Sequence, residues 1–141
     1  WSPSSISYTG NNRTHMIRVP GAGRFELRLM DGSSNPYLLQ AGVIAAGLHG
    51  LQNKVNPGEP LSCNMYTDYK NYPNLKKLPN EIQDALDFLQ NSRELKEAFG
   101  QDTINSYIKL KRIEIENFNQ KENFDKGSSI TEWEKNNTLD C

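Results

Sequence analysis

Arg24-Phe25-Glu26-Leu27-Arg28-Leu29-Met30-Asp31-Gly32-Ser33-Ser34-Asn35-Pro36-Tyr37-Leu38-Leu39 is the stretch in which the chain changes its period. Up to Leu29 the pattern alternates, with Phe25, Leu27 and Leu29 on one face of a strand and Arg24, Glu26 and Arg28 on the other. Asp31-Gly32 closes the strand, and Asn35-Pro36 opens a helix, because Asn caps orphan backbone N–H groups and Pro suits the first helical position. One strand face bearing charge, followed directly by a helix, sets the expectation of an α+β chain.

Upstream, residues 1–34 read as strands and turns. Pro20-Gly21-Ala22-Gly23 is expected to be a hairpin turn before the Arg24 strand, since it lacks the Gly-Lys-Ser/Thr ending of a phosphate loop. Downstream, residues 35–141 read as mainly helical. The first helix is expected to reach about Asn53, and its body, Tyr37 to Leu48, is apolar nearly all round, which predicts burial on most sides. Gly42 and Gly47 leave room for another backbone. Val55–Pro79 is a long connection punctuated by five prolines and glycines, of the kind that is functional or packed on something else. Helices are then expected from a capping box at Asn80 and Gln83, from Ser92 to Phe99 with Gly100 as the stop, and from a cap at Asp102. Residues 119–129 are polar and read as loose, with one last turn over Thr131–Lys135.

Composition bounds the function. The 141 residues allow one compact domain, and 35% apolar content with a mean hydropathy of −0.74 predicts a thin core. No apolar run approaches the ~18 residues of a membrane span, and no secretory leader pattern is visible. A net charge of −1 argues against a nucleic-acid-binding module. Cys63 and Cys141 make neither a disulfide framework nor a metal spacing, so a reducing, cytoplasmic setting is expected. The opening Trp1, in place of Met, is expected of a processed or cut piece.

Charge is also placed unevenly. Four of the six arginines, Arg13, Arg18, Arg24 and Arg28, lie within sixteen residues and surround Glu26. Guanidinium groups bind phosphate and carboxylate bidentately, and a carboxylate beside them can hold a divalent ion, so the cluster suits a polyanionic substrate. The plainer reading is a strand face of surface ion pairs worth about 0–1 kcal/mol each. Arg13 and Arg18 differ in parity, so a bulge or strand end must bring them to the face of Glu26. His15 and His49 have no ligand-spaced partners, and each reads as a surface or a satisfied core histidine; His49 lies near the end of the helix, where a cation also suits the macrodipole. Tyr66, Tyr69 and Tyr72 read as packing within the long connection.

The order Asn12-Arg13, Arg18-Val19-Pro20, Arg24-Phe25-Glu26-Leu27-Arg28, Asp31, Asn35-Pro36-Tyr37, Ala45-Ala46-Gly47-Leu48 resembles the C-terminal part of the catalytic domain of the glutamine synthetase family. The likeness covers residues 1 to about 118 and resumes at Thr131–Cys141. The lead-in Thr9-Gly10-Asn11-Asn12-Arg13-Thr14-His15-Met16 and the ending Thr138-Leu139-Asp140-Cys141 resemble a divergent bacterial branch that includes γ-glutamylmethylamide synthetase-like enzymes.

The resemblance implies a few strands, described as antiparallel, followed by four to five helices. It also implies an ATP-dependent ligase that joins glutamate to ammonia or a small amine through an acyl phosphate, with Mg²⁺ or Mn²⁺, in a homo-oligomer. By position, Glu26 matches a metal ligand, Arg28 the arginine on the substrate carboxylate, Arg13 the one bridging substrate and transferred phosphoryl, and Arg18 and Arg24 arginines on nucleotide phosphates. The family's flap glutamate would fall at Trp1, which cannot act as a base. Tyr66 lies near a tyrosine adenylylated in some members, in different surroundings. The remaining metal carboxylates belong to sequence upstream of this chain, so residues 1–141 are expected to be inactive alone and to need the remainder of a parent chain. The alternative is a stand-alone, non-catalytic module that binds an anion or docks a partner.

Overall fold

The computed structural model describes residues 2–121 and 130–138, without the side chain of Lys121. Three strands, β1 (Tyr8–Thr9), β2 (Ile17–Gly21) and β3 (Arg24–Leu27), precede five helices. These are α1 (Pro36–Gln52), α2 (Ile82–Asn91), α3 (Arg93–Phe99), α4 (Gln101–Lys121) and α5 (Glu132–Asn137). The α+β expectation holds. The chain forms two compact units, the first made of residues 1–31 and 55–82, the second of residues 32–54 and 83–141.

The first unit is a three-stranded sheet in the order β1-β2-β3. Strands β2 and β3 form the expected antiparallel hairpin, turning through Ala22-Gly23, where Gly23 takes φ +74°. Glycine adopts that conformation without the Cβ clash other residues meet. The two-residue β1 joins the other edge of β2 in parallel, a pairing that alternation in the sequence did not carry. The long connection is packed on these strands: Ile6 N–H donates to Lys76 O at 2.8 Å, Leu78 N–H to Ser4 O at 3.0 Å, and Leu61 N–H to Tyr8 O at 3.0 Å. Along it, Tyr72 is half-buried, whereas Tyr66 and Tyr69 are exposed, so the tyrosines do not act together as packing.

What this unit buries is largely polar. Ser5, Ser7, Thr9, Thr14, His15 and Arg18 are buried, together with Met65. His15 is fully enclosed, as a satisfied core histidine should be, with Nε2 3.0 Å from Cys63 O and Nδ1 3.1 Å from Ser7 Oγ. A carbonyl can only accept, so Nε2 carries a hydrogen, and in the neutral ring the Ser7 hydroxyl then donates to Nδ1. Cys63 O also accepts from Asn12 Nδ2 at 2.9 Å, and Met65 N–H donates to Thr14 Oγ1 at 3.0 Å. Two connected loops, 12–15 and 63–65, are thereby bolted together.

The second unit is helical. Asn35 Oδ1 accepts from Tyr37 N–H at 3.0 Å and Leu38 N–H at 3.1 Å, so the expected cap forms. Ser92 Oγ accepts from Leu95 N–H at 3.2 Å, and Gly100, at φ +82°, ends α3 as expected. Three expectations are corrected. Gln83 does not reach back to a cap; its amide donates to Asp87 Oδ1 at 3.0 Å, one turn along α2. Asp102 is not a cap but lies in the first turn of α4, which starts at Gln101. Residues 119–121 are helical, and residues 122–129 lie outside the described residues. The last turn does form, closed by a capping box between Thr131 and Glu134.

Leu86, Ile104 and Ile108 make the apolar core, with Leu89, Leu95, Phe99, Tyr107 and Ile115 packed against them. Phe118 meets Trp133 edge to face, ring centres 5.3 Å apart. The expectation for α1 is overturned: none of its residues is buried, and Tyr37, Ile44 and Leu51 are 83%, 61% and 78% exposed. Apolar character all round needs neighbours all round, and the described residues do not supply them. Gly42 and Gly47 likewise have nothing within 4 Å of the space a Cβ would fill.

Candidate functional site

The site grows from a register irregularity in the first unit. Gly21 pairs with Arg24, and a regular hairpin would then set Val19 opposite Glu26. The pair observed is instead Arg18 with Glu26, because one extra residue is accommodated on β2 between Arg18 and Gly21. Pro20, which has no N–H to give the ladder, sits inside that bulge. The bulge that parity required for Arg18 is therefore present, and directly opposed residues share a face.

On that face Glu26 is held from both sides. Arg18 Nη1 donates to its Oε2 at 2.8 Å and Arg28 Nη1 to its Oε1 at 2.7 Å. The side chains of Arg18, Arg28 and Glu26 are 10%, 23% and 38% exposed. Arg28 is set by its backbone, whose N–H donates to Met16 O at 2.9 Å just beyond β3. The Arg28 guanidinium, and after it that of Arg18, hold the Glu26 carboxyl below the usual carboxylate range. Charge-assisted pairs of this kind favour the ionised form.

Two features of the triad were not legible as such. Asn11 Oδ1 accepts from Arg18 Nε at 2.9 Å and also from Nη2, so one amide oxygen grips a whole edge of the guanidinium. Arg28 Nε is buried and donates to nothing among the described residues. An orphaned buried donor costs about 1–3 kcal/mol, and an acceptor from a ligand would satisfy it. Asn residues are common in turns for their own sake, so no spacing rule marks Asn11.

Arg13 and Arg24 are not drawn into the cluster. Arg13 is exposed in the turn after Asn12, and Arg24 is exposed beside the hairpin turn, neither joined to Glu26 by a hydrogen bond or ion pair. Glu26 has two acceptor positions left once both arginines are counted, so it fits as one oxygen ligand to a divalent ion. It does not make a metal site by itself, and no group of three His, Cys, Asp or Glu able to hold one exists among the described residues.

The family model for the catalytic domain of glutamine synthetase matches residues 1–131. The chain belongs to the glutamine synthetase family. It is 48% identical over 140 residues to a glutamine synthetase of Rhizobium meliloti, covering 99% of this chain and 30% of that protein. It is 37% identical over 144 residues to a glutamate–methylamine ligase of Methyloversatilis universalis, again covering 99% and 30%. Among solved structures it resembles a GmaS/ADP complex with a TM-score of 0.80 and 41% identity, over 100% of this chain and 30% of that one. The chain thus spans about 30% of the length of these glutamine synthetase relatives. Among the described residues no helix is long and apolar enough to cross a membrane.

Proposed function

We propose that this chain is the C-terminal segment of an ATP-dependent ligase that joins glutamate to ammonia or a small amine. In that reaction the γ-carboxylate oxygen of glutamate attacks the terminal phosphorus of ATP and ADP leaves. The amine nitrogen then attacks the acyl carbon of γ-glutamyl phosphate, inorganic phosphate leaves, and the nitrogen loses a proton. The observation that supports the reading is the Arg18–Glu26–Arg28 cluster with its orphaned Arg28 Nε, on a chain of the glutamine synthetase family. Arg28 offers that donor to a substrate carboxylate. Arg18 and Arg24 serve the nucleotide phosphates, and Arg13, on its exposed turn, bridges substrate and the transferring phosphoryl group. Glu26 would supply one ligand to Mg²⁺ or Mn²⁺, which when bound screens the charge of phosphate oxygens.

A single carboxylate in the cluster leaves the remaining ligands to the rest of a parent chain working as a homo-oligomer in the cytoplasm. Residues 1–141 alone should therefore release no phosphate from ATP when glutamate and ammonium, or glutamate and methylamine, are both supplied. Substrate-dependent release by the isolated chain would refute the incomplete site. In the full-length protein Glu26→Ala should lower metal-dependent turnover by about 100-fold or more while circular dichroism stays unchanged. An unaltered rate with an unaltered metal requirement would remove Glu26 from the metal.

A further inference from the structure

We infer that Asn11 is a positioning residue that decides which edge of the Arg18 guanidinium is presented to the nucleotide; this rests on the reading of Arg18 as a phosphate ligand. A guanidinium has five N–H donors in a rigid plane. Asn11 Oδ1 takes one from Nε and one from Nη2, and Glu26 Oε2 takes one from Nη1. One N–H on each Nη is left without a partner among the described residues, and those two are the donors available to phosphate oxygens. The side chain is 10% exposed, so it has little water to fall back on. Without the Asn11 acceptor the favoured alternative is a fork-to-fork pair in which both Nη atoms turn onto Glu26, since bidentate arginine–carboxylate geometry is strong. The charge of Arg18 would remain, but its free donors would be withdrawn from the ligand. Asn11 itself is exposed and makes no other side-chain hydrogen bond among the described residues, so its removal is aimed at Arg18.

The test uses the full-length protein and MgATP, with ADP binding measured by calorimetry beside steady-state kinetics. Asn11→Ala should weaken ADP and raise the KM for ATP about tenfold, the effect of losing a hydrogen bond to a charged group, while the KM for glutamate moves less than about twofold. Asn11→Ser, which keeps a turn-compatible residue but places its hydroxyl one bond short of the Asn11 Oδ1 position, should behave the same way if Asn11→Ala melts early. Arg18→Lys should weaken the nucleotide by itself, and Asn11→Ala added to it should cause no further loss. If Arg18→Lys leaves nucleotide affinity intact, the phosphate role of Arg18 fails and the positioning role fails with it. If Arg18→Lys weakens the nucleotide but both Asn11 variants bind it normally, or if they impair glutamate and nucleotide equally, Asn11 does not position Arg18 and the phosphate reading survives.

Discussion

The two units solve the problem of a thin core in opposite ways. The helical unit buries Leu86, Ile104 and Ile108 and needs only apolar shape. The strand unit buries His15, Arg18, Thr14 and three further serines and threonines, and ties its 12–15 and 63–65 loops together by directed hydrogen bonds. An apolar core tolerates rearrangement, whereas a polar interior is costly unless each partner is met. The difference places the arginine–glutamate cluster on the less forgiving unit, where side-chain direction is set by hydrogen bonds and not by packing alone.

The sharpest way to break this contrast is to exchange residues for others of similar volume in each unit. His15→Phe should destabilise the strand unit by about 3 kcal/mol or more, because Cys63 O and the Ser7 hydroxyl lose their buried partner. Leu86→Met should cost less than about 1.5 kcal/mol. Amide hydrogen exchange can read both at once, with the β2 amides reporting the first and the α4 amides the second. Equal, small effects would mean that the polar interior is no more demanding than the apolar one.

A smaller effect follows from charge. The Glu26 carboxyl is held below its unfolded value, first by Arg28 and then by Arg18, so the unfolded chain binds its proton more readily. The stabilisation is complete above the unfolded carboxyl value and is lost as pH falls through the lower, folded one. Stability curves of the parent and of Glu26→Gln, taken by denaturant unfolding at neutral and acid pH, should therefore converge toward acid. Parallel curves would show that the two ion pairs do not favour the carboxylate. The smallest change is expected at the helix cap: Ser92→Ala should cost about 1 kcal/mol and be confined to exchange at the start of α3, leaving β2 untouched.

Local signals carried far in this chain. The strand at Arg24, the hairpin turn, the Asn35 and Ser92 caps and the Gly100 stop each depend on a few neighbouring residues and form where the pattern places them, although the strand ends at Leu27, two residues before the expected Leu29. Arg18, Glu26 and Arg28 stand out together in the sequence for the same reason: they are charges on or near one alternating strand. Asn11 lies in the same stretch but its role is not legible there, because that role exists only once a bulge on β2 has turned Arg18 toward it. The exposed α1 shows the converse error, in which apolar composition states what a helix can bury but not whether neighbours are present to bury it.

The features of this chain divide by cause. Element type, helix ends, the arginine cluster and membership of a ligase family lie in the residues themselves, since propensity, capping and motif order are local properties of the chain. The parallel β1, the split of the long connection onto the strand unit, the enclosure of His15 and the two-sided grip on Glu26 came only with the tertiary structure. Each of those depends on which distant backbone carbonyl or carboxylate arrives within hydrogen-bonding distance, and loop closure, not local preference, decides that.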